Sequence, residues 1–374
     1  MSVTALLSAL VFQPGRIDPG ALVAHDPRAL ADAAGLEQVV PLALHGMHRI
    51  QAAGAAVPAA HLEAMRHAAR RWTLYEALQR RAMADVLDRA AGVPLLLFKG
   101  AALAYALYES PADRMRLDWD VLVEPSRALE AERALVAAGF RKDVKKPGRI
   151  RVRQHSYRRD TGDGECAVDL HTGVVNAPAL ADRVTFEELL GASLPLPGLH
   201  PAARGIAGAD ALVLACLHRL AHHPGEDRLV WDCDIRLLTQ RLDERMTDVI
   251  ARADAWEAGP LVAYEVSRVA ARAGDVLPED TARAVETLAA QPSRLAAFIR
   301  EDRSRGDDFM LDWRALGWRD RAALVRETFL PDAAFVRARS PSRLPLPLLY
   351  IRRLAAGAAA WFRRPGRPDR DRAD

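Results

Sequence analysis

The chain has 374 residues, of which 50% are hydrophobic and 27% charged, a composition that indicates a globular protein with a large core and two or three domains. Its 52 Lys and Arg residues against 49 Asp and Glu residues leave a net charge of +3, which by itself does not indicate nucleic-acid binding. The odd number of cysteines, with no CxxC pair, argues against a disulfide scaffold or a structural zinc site and favours a reducing cytoplasm.

The sequence shows no sign of export or of a membrane span. The apolar segment 3–12 lacks a preceding basic cluster, and no apolar run reaches the roughly 18 to 20 residues that cross a bilayer. Lysine occurs only at positions 99, 142, 145 and 146, and this preference for arginine in an alanine-rich chain is typical of a GC-rich bacterial genome. We therefore expect a bacterial, cytoplasmic protein.

Helices are predicted over residues 1–92. Breaks are expected at Pro14-Gly15, Asp26-Pro27 and Val57-Pro58, because proline and glycine interrupt helical runs. The segment 61–91 is rich in Ala, Leu and Arg, a strong helical composition, and it leads into the first predicted strand. We interpret this N-terminal helical region as a packing element.

A mixed pattern of strands and helices follows, over residues 93–198. The predicted strands lie near 94–98, 118–123, 150–157 and 166–171, and the predicted helices begin after Gly100 and at Pro125. Pro125 at the start of the second helix and Gly139 after its end follow the usual asymmetry of helix ends. We interpret this region as an α/β catalytic core.

Helices are predicted again in the C-terminal part, residues 199–363. The proline-rich segment 194–201 is predicted as a linker, and residues 210 to about 329 as a helical bundle. The basic, aromatic stretch 350–364 is predicted as a packed helix with arginine ends; the alternative is a helix that lies on a membrane or a partner surface. The polar tail, residues 364–374, is predicted to be disordered.

The sequence Asp118-Trp119-Asp120 places two carboxylates on one face of a predicted strand. Successive side chains of a strand point to opposite faces, so Asp118 and Asp120 project together. Trp119, Val121 and Val123 then face the other side. Like charges roughly 7 Å apart repel by about 2 to 3 kcal/mol at an effective dielectric near 20, a penalty that a divalent cation removes. The pattern therefore predicts a metal site.

A third carboxylate, Asp169, completes this candidate metal site. It lies in the mostly apolar run 165–170, which predicts a short strand with Asp169 and His171 on one face. Oxygen ligands suit Mg²⁺ or Mn²⁺, and three carboxylates are able to hold two such ions about 4 Å apart for an in-line displacement at phosphorus. We therefore expect Asp118, Asp120 and Asp169 to bind metal and to act in catalysis.

Lys99 and Gly100 form a candidate phosphate-binding corner. The run 93–98 predicts a buried strand, and Lys99-Gly100 ends it where a predicted helix, 101–107, begins. Glycine lets backbone amides approach an anion, and the helix N-terminus adds unpaired amide donors and partial positive charge. Lys99 adds a full charge, so the corner predicts a triphosphate site; the alternative is a simple turn.

These motifs together resemble those of the nucleotidyltransferases of the DNA polymerase beta type, and within them a bacterial group of uncharacterised nucleotidyltransferases. The superfamily pattern of an apolar residue, Gly, then Gly or Ser, a helix and a two-acid strand is similar to segments 98–101 and 118–121. The resemblance to the bacterial group is closer and extends over several positions: 97–103, Arg114, 120–123, 168–171, 211–218, 228–238 and 344–354.

The resemblance implies an α+β fold, in which a small mixed sheet forms the nucleotidyltransferase core, residues 93–198, between helical N-terminal and C-terminal domains. It implies transfer of a nucleoside monophosphate from an NTP, with Mg²⁺ or Mn²⁺, to an acceptor that stays open: a small molecule, a peptide or a protein. Nucleotide binding is then expected at Lys99, Gly100, Ala101 and Arg114. Where the superfamily often has Ser, this chain has Ala101, so that phosphate contact is expected from backbone amides.

Two site residues keep alternative interpretations. Arg114 either balances the acids as a surface cation or contacts phosphate through its guanidinium group. His171 either orients Asp169 or is merely structural. His218 and His222 lie four apart on a predicted helix, a spacing that is able to hold zinc, although helix packing or a cap is the plainer interpretation.

Two other functions stay open at this point. Ala101 leaves room for a non-catalytic protein that retains the fold and binds a nucleotide or a partner. The His218 cluster leaves room for a zinc hydrolase. Asp234, close to that cluster in the sequence, is interpreted as a brace for the helix that ends near Leu238.

Overall fold

The computed structural model describes residues 1–143, 148–162, 164–181, 183–300, 302–338, 340 and 344–362. The strands are β1 Leu95–Leu97, β2 Trp119–Val123, β3 Arg141–Lys142, β4 Gln154–Asp160, β5 Glu165–His171, β6 Leu194–Pro195 and β7 Arg204–Gly205. The helices before β2 are α1 Val3–Phe12, α2 Gly20–Val23, α3 Pro27–Leu36, α4 Val40–Ala52, α5 Ala59–Arg89 and α6 Lys99–Ala106. Those from β2 to β7 are α7 Ala128–Ala137, α8 Pro178–Ala181 and α9 Phe186–Ala192.

The helices after β7 are α10 Gly208–His222, α11 Leu229–Arg241, α12 Met246–Ala255, α13 Gly259–Ala273, α14 Glu279–Ala290, α15 Arg305–Ala315, α16 Trp318–Phe329, α17 Ala333–Ala338 and α18 Leu346–Phe362. Helices therefore flank a mixed sheet on both sides in the chain, and the predicted α+β class is confirmed. The division of the chain into domains at residues 92, 198 and 363 stays a prediction.

The strands form one mixed sheet in the order β3-β4-β5-β2-β1-β7-β6. β2 and β5 run parallel, as do β1 and β7, whereas the remaining pairs are antiparallel. The two central strands that carry the predicted acids, β2 and β5, are therefore direct neighbours.

The alternation of side chains in β2 and β5 divides the sheet into an apolar face and a face with acids. Trp119, Val121 and Val168 are buried in a cluster that includes residues of α5 and α7. On the opposite face, Leu96 and Leu122 belong to a second cluster, which includes α10, α11, α12 and α13. The acids on this second face therefore lie between the sheet and the C-terminal helices.

The N-terminal helices pack on one another and on the first half of α5. The predicted helix breaks are confirmed at two clear points. α3 begins at Pro27, with the Asp26 carboxylate accepting bonds from the next amides, and α5 begins directly after Pro58. Helix α5 continues from this cluster to the sheet, where Met83 and Val86 pack on the apolar face.

Some predicted boundaries differ in the structure. The segment 194–201 is not simply a linker, because Leu194–Pro195 form β6, which pairs with β7. A proline fits there because β6 is an edge strand, where one missing donor is tolerated. The third predicted strand, 150–157, is found later, as β4, and the helix predicted from Pro125 starts with a 3₁₀ turn, Pro125–Arg127.

The last described helix, α18, packs against α15 and α17. The Trp361 ring lies 5.1 Å from the Phe309 ring and 4.9 Å from the Phe329 ring, between centroids, so the end of this helix is packed. Residues 351–356 are exposed, and the choice between a packed helix and one on a membrane or partner surface stays a prediction. The predicted disordered tail, 364–374, lies outside the described residues. Across the part of the chain that the structure describes, none of the helices combines the length and apolar character that a bilayer crossing requires.

Candidate functional site

The three predicted acids meet at one cavity of about 420 Å³. Asp120 of β2 and Asp169 of β5 are register partners in the parallel pair, so their side chains project from the same face at the same level. Asp118 directly precedes β2 and lines the same cavity. The structure thus brings together the carboxylates that the two-residue period predicted.

Asp120 is held by two neighbours on the same face. The Lys99 Nζ donates to its Oδ1 at 2.8 Å, and His171 Nε2 contacts the same oxygen at 2.8 Å. Although burial opposes ionisation, Lys99 and His171 hold the pKa of Asp120 below its usual value. Among the described residues, no group donates a hydrogen bond to the other oxygen, Oδ2. Asp120 is therefore a fixed anion with one oxygen available to a ligand.

His171 orients a different acid from the one expected. The interpretation that it would orient Asp169 is wrong, because its Nε2 bonds to Asp120, on the adjacent strand, instead. Its ring stands edge-on to Phe98, with centroids 4.8 Å apart. Burial and the Lys99 charge lower the pKa of His171, so the ring is neutral and Nε2–H is the donor to the Asp120 anion.

Asp169 is held from β4, the antiparallel neighbour of its own strand. Gln154 Nε2 donates to Asp169 Oδ2 at 2.6 Å, and Ser156, its register partner, donates to Oδ1 through its hydroxyl. The sequence analysis missed both donors. In the sequence, the two donors are marked only by their spacing of two residues on β4. That spacing indicates a contact with Asp169 only when the pairing of β4 with β5 is known.

Asp118 lies beside the other two acids in the cavity. Among the described residues, none donates a hydrogen bond to its carboxylate. Burial, together with the charges of Asp120 and Asp169, raises the pKa of Asp118 to about 7. Bringing a divalent cation close to these oxygens would reverse that effect, because an opposite charge favours the ionised form. The residues present therefore fit such an ion.

The candidate metal ligands that lie closest together are Asp120, Asp169 and His171. One potential ligand atom from each lies within 4.8 Å of the others, in a group that is buried. Since the His171 Nε2–H is used to hold Asp120, that nitrogen has no lone pair left for a metal in this arrangement. The carboxylate oxygens of the acids are thus the better ligands, and oxygen ligands suit Mg²⁺ or Mn²⁺.

The predicted phosphate-binding corner lies at the N-terminus of α6. This helix begins at Lys99, two residues earlier than predicted, and its N-cap, Phe98, provides no side-chain bond to the first amides. Lys99 has a φ of 52°, in the left-handed region that side-chain-bearing residues rarely adopt. Lys99 and Gly100 line the cavity, whereas the Ala101 methyl group is buried in the apolar core. A contribution of Ala101 to nucleotide binding stays a prediction, and it would be made by the backbone.

The Arg114 guanidinium group packs against Gly100 at this corner. The interpretation as a surface cation is wrong, because its guanidinium group is buried against Asp234, with Nε at 2.8 Å and Nη2 at 2.7 Å from the carboxylate oxygens. A Cβ at position 100 would lie only 3.0 Å from Arg114 Nη2, so a larger residue there would have to displace the guanidinium group. A phosphate contact by Arg114 stays a prediction. Asp234 also accepts a bond from the Tyr108 hydroxyl, at 2.8 Å, and so braces the site rather than the end of its own helix.

The buried Arg114–Asp234 pair leads to a stability prediction. We expect Asp234→Asn to lower the free energy of unfolding by about 3 kcal/mol or more, because it leaves the Arg114 charge buried without an anion. Urea denaturation without ligand measures this. The matched control is Tyr108→Phe, which removes one bond to the same carboxylate and should cost about 1 kcal/mol. An equal loss of unfolding free energy in the two variants would contradict the buried ion pair.

The alternative interpretation of His218 and His222 as a zinc site is not supported by their surroundings. His222 Nε2 accepts a bond from the Asn176 backbone amide at 3.3 Å, and the two rings pack with centroids 5.2 Å apart. Within the described ranges, neither histidine belongs to a group of three metal-ligating side chains. The plainer packing interpretation is therefore the better one. The three cysteines are buried and free, in agreement with the absence of a predicted disulfide.

A comparison with known protein families agrees with this geometry. The sequence model of a family described as uncharacterised nucleotidyltransferase matches residues 24–273, which include the sheet, the three acids and the Arg114–Asp234 pair. The chain belongs to this family. The resemblance to uncharacterised nucleotidyltransferases is thereby confirmed over these residues, and this family points to a transferase. A bacterial origin and the wider DNA polymerase beta superfamily stay predictions. No curated protein and no solved structure matches the chain.

Proposed function

We propose that this protein transfers a nucleoside monophosphate from an NTP to an acceptor hydroxyl group and releases pyrophosphate. The observation that supports this most strongly is the convergence of Asp118, Asp120 and Asp169 on one cavity that the Lys99–Gly100 corner also lines. The family match supports the same class of reaction. The acceptor in this proposal is a small molecule, a peptide or a protein.

The acids hold the cation in this proposal. Asp118 and Asp120 bind Mg²⁺ or Mn²⁺, and Asp169 completes the set on the side of the acceptor. When bound, the ion supplies positive charge that stabilises the phosphate oxygens and favours ionisation of the acceptor hydroxyl. The acceptor oxygen forms a bond to the α-phosphorus, and the bond from that phosphorus to the bridging oxygen of the β-phosphate breaks. Asp169 receives the acceptor proton, as a general base.

The phosphate corner holds the leaving pyrophosphate. The first amides of α6 lack a side-chain cap and carry the partial positive charge of a helix N-terminus, which suits a phosphate group. Lys99 Nζ lies 2.8 Å from Asp120 Oδ1, and in the proposal this ammonium group also binds the triphosphate. Gly100 keeps the corner open over the Arg114 guanidinium group.

An isotope experiment tests the reaction class. The protein is incubated with Mg²⁺, a host-cell extract and each NTP in turn, labelled with ³²P at either the α or the γ position. We expect the protein to increase the α-label covalently attached to an acceptor above the level in extract alone, with no such increase for γ-label, which leaves in pyrophosphate. An NTP that binds without any transfer of α-label, in extracts and with a panel of alcohols and peptides, would instead favour a non-catalytic nucleotide-binding protein.

A further inference from the structure

The cavity continues beyond the acids to a wall of four rings, His218 and His222 of α10, His223, and Trp231 of α11, here called the ring wall. The ring centroids of His218 and His223 are 5.1 Å apart, and those of His223 and Trp231 are 4.5 Å apart. All four side chains line the same cavity as the acids. The proposed reaction uses none of them.

The ring wall presents uncharged rings that are tilted against one another by 39° to 87°, and the Arg228 guanidinium carbon lies 5.4 Å from the Trp231 ring centroid. Burial, with the Lys99 charge and the other histidines, lowers the pKa of His218 well below its usual value. The same causes lower the pKa of His222 to about 3, so this ring is neutral at pH 7. Since its Nε2 accepts the Asn176 amide bond, the His222 proton is on Nδ1. Such a surface suits an aromatic ring with polar edges much better than a triphosphate.

His218 carries an unsatisfied polar atom. Its Nδ1 is buried and, within the described residues, has no hydrogen-bond partner. An unpaired buried nitrogen destabilises a fold, and most native structures avoid it. Because this nitrogen is covered by protein atoms, His218 contributes ring surface to the cavity and not a hydrogen bond to a ligand.

The ring wall adjoins the phosphate corner. Asp234, three residues after Trp231 on α11, is the residue that holds Arg114 against Gly100. A nucleobase is tied to its triphosphate through one ribose and must lie near the corner, whereas an acceptor is under no such constraint. The position therefore favours the nucleobase of the NTP as the occupant.

The backing of the ring wall is rigid. Arg219, next to His218, bonds to Glu265 of α13 and to Asp227 at 2.7 Å each. Asp232, next to Trp231, accepts a bond of 2.6 Å from Arg268 of α13. Because these buried ion pairs fix α10 and α11 against α13, the four rings are held in place before a ligand arrives.

We propose that the ring wall binds the nucleobase of the NTP, with the base packed against these aromatic side chains. The inference rests on the proposed function for the identity of the ligand. The cavity of about 420 Å³ lies within the usual range for a small-molecule site, about 300 to 1,000 Å³. Trp231 thereby becomes a residue that contributes affinity for all four bases.

Calorimetric binding with Mg²⁺ tests the proposal, with the four α,β-methylene NTPs and inorganic tripolyphosphate as ligands. We expect Trp231→Leu to weaken the tightest-binding NTP analogue by about 10-fold or more, the scale of one lost base–aromatic contact. Tripolyphosphate, which has no base, should bind as before and thus also report that the variant is folded. Trp231→Phe should stay within about 3-fold of the wild type because it keeps a ring.

The matched control for Trp231→Leu is Trp318→Leu, on the exposed face of α16 and away from the cavity, which should change nothing. The proposal would be overturned if Trp231→Leu lost affinity equally for the analogues and for tripolyphosphate. It would also be overturned if Trp231→Leu bound the analogues as tightly as the wild type.

The two proposals fail in distinguishable ways. If Trp231→Leu weakens the analogues as expected but the wild type transfers no α-label, the proposed function is wrong and the base site stands. If the wild type transfers α-label but Trp231→Leu binds the analogues normally, the base site is wrong and the reaction stands. An affinity loss for an aromatic acceptor alone would likewise overturn the base site, because it would assign the ring wall to the acceptor.

Discussion

Asp118→Asn should reduce Mg²⁺-dependent transfer of α-label by about 1,000-fold or more while the protein stays folded. The removed carboxylate is a proposed metal ligand, and the charge stabilisation that a bound ion gives to the transition state is worth several kcal/mol, with each 1.36 kcal/mol equal to a factor of ten in rate. Asp118 is the cleanest of the three acids to change, because no described residue donates a hydrogen bond to it. Single-turnover transfer at saturating NTP measures the effect.

The control for this experiment is Asp254→Asn, an exposed carboxylate on α12, which should transfer at the wild-type rate. Asp120→Asn is a poorer test, because it would also leave the buried Lys99 ammonium group without its anion and so disturb the fold. Transfer by Asp118→Asn within a few-fold of the wild type, with Mg²⁺ still required, would remove Asp118 from the reaction.

The second large effect is a dependence of stability on Mg²⁺ and pH together. Without metal, the folded-state pKa of Asp118 is raised to about 7, above the value of about 3.9 in an unfolded chain. Between these two pH values the folded protein holds more protons than the unfolded chain, so the contribution of Asp118 to stability falls as pH rises. The wild type should therefore lose stability relative to Asp118→Asn from pH 5 to pH 8 in EDTA.

Mg²⁺ should reverse this trend. The ion requires the ionised carboxylate, so its apparent affinity should rise with pH until Asp118 is fully ionised, near pH 8. At a free concentration 100 times the dissociation constant, the ion should add about 2.7 kcal/mol to the free energy of unfolding. Both the pH dependence in EDTA and the stabilisation by Mg²⁺ are measured by thermal and urea unfolding of the wild type and of Asp118→Asn. Identical responses to Mg²⁺ in the two proteins would contradict a metal site at Asp118.

The local pattern of the sequence was enough to predict the faces of the two acid strands. In β2, Trp119 and Val121 are buried in the core while Asp120 projects into the cavity, as a period of two requires. The glycine corner was likewise predictable, since the run of apolar residues, Lys99 and Gly100 marks the end of a strand and the start of a helix. These features depend only on neighbours in the chain.

The partners of the site residues were not predictable, because they come from distant parts of the chain. Arg114 and Asp234 are 120 residues apart in sequence, and neither residue carries a local sign of the other. His171 was assigned to the wrong acid because the parallel pairing of β5 with β2 is a property of the whole sheet. The short strand β6 was taken for a linker because two residues with a proline give no strand pattern.

The surroundings of the histidines in the ring wall could not be predicted from the local sequence either. His218 and His222 at helical spacing suggested zinc, but their environment decides otherwise. The neighbouring rings, the nearby Lys99 charge and burial make these histidines neutral packing groups, and each of these causes comes from the tertiary structure. Spacing alone reports which residues are adjacent on a helix and not what surrounds them.

Anomalous X-ray diffraction from crystals grown with Mn²⁺ and an α,β-methylene NTP tests the proposed centre most directly. The structure predicts a Mn²⁺ peak in contact with carboxylate oxygens of Asp118, Asp120 and Asp169, next to the α-phosphate. A metal peak at His218 and His222 instead, or a bound nucleotide with no metal among the three acids, would contradict the assignment.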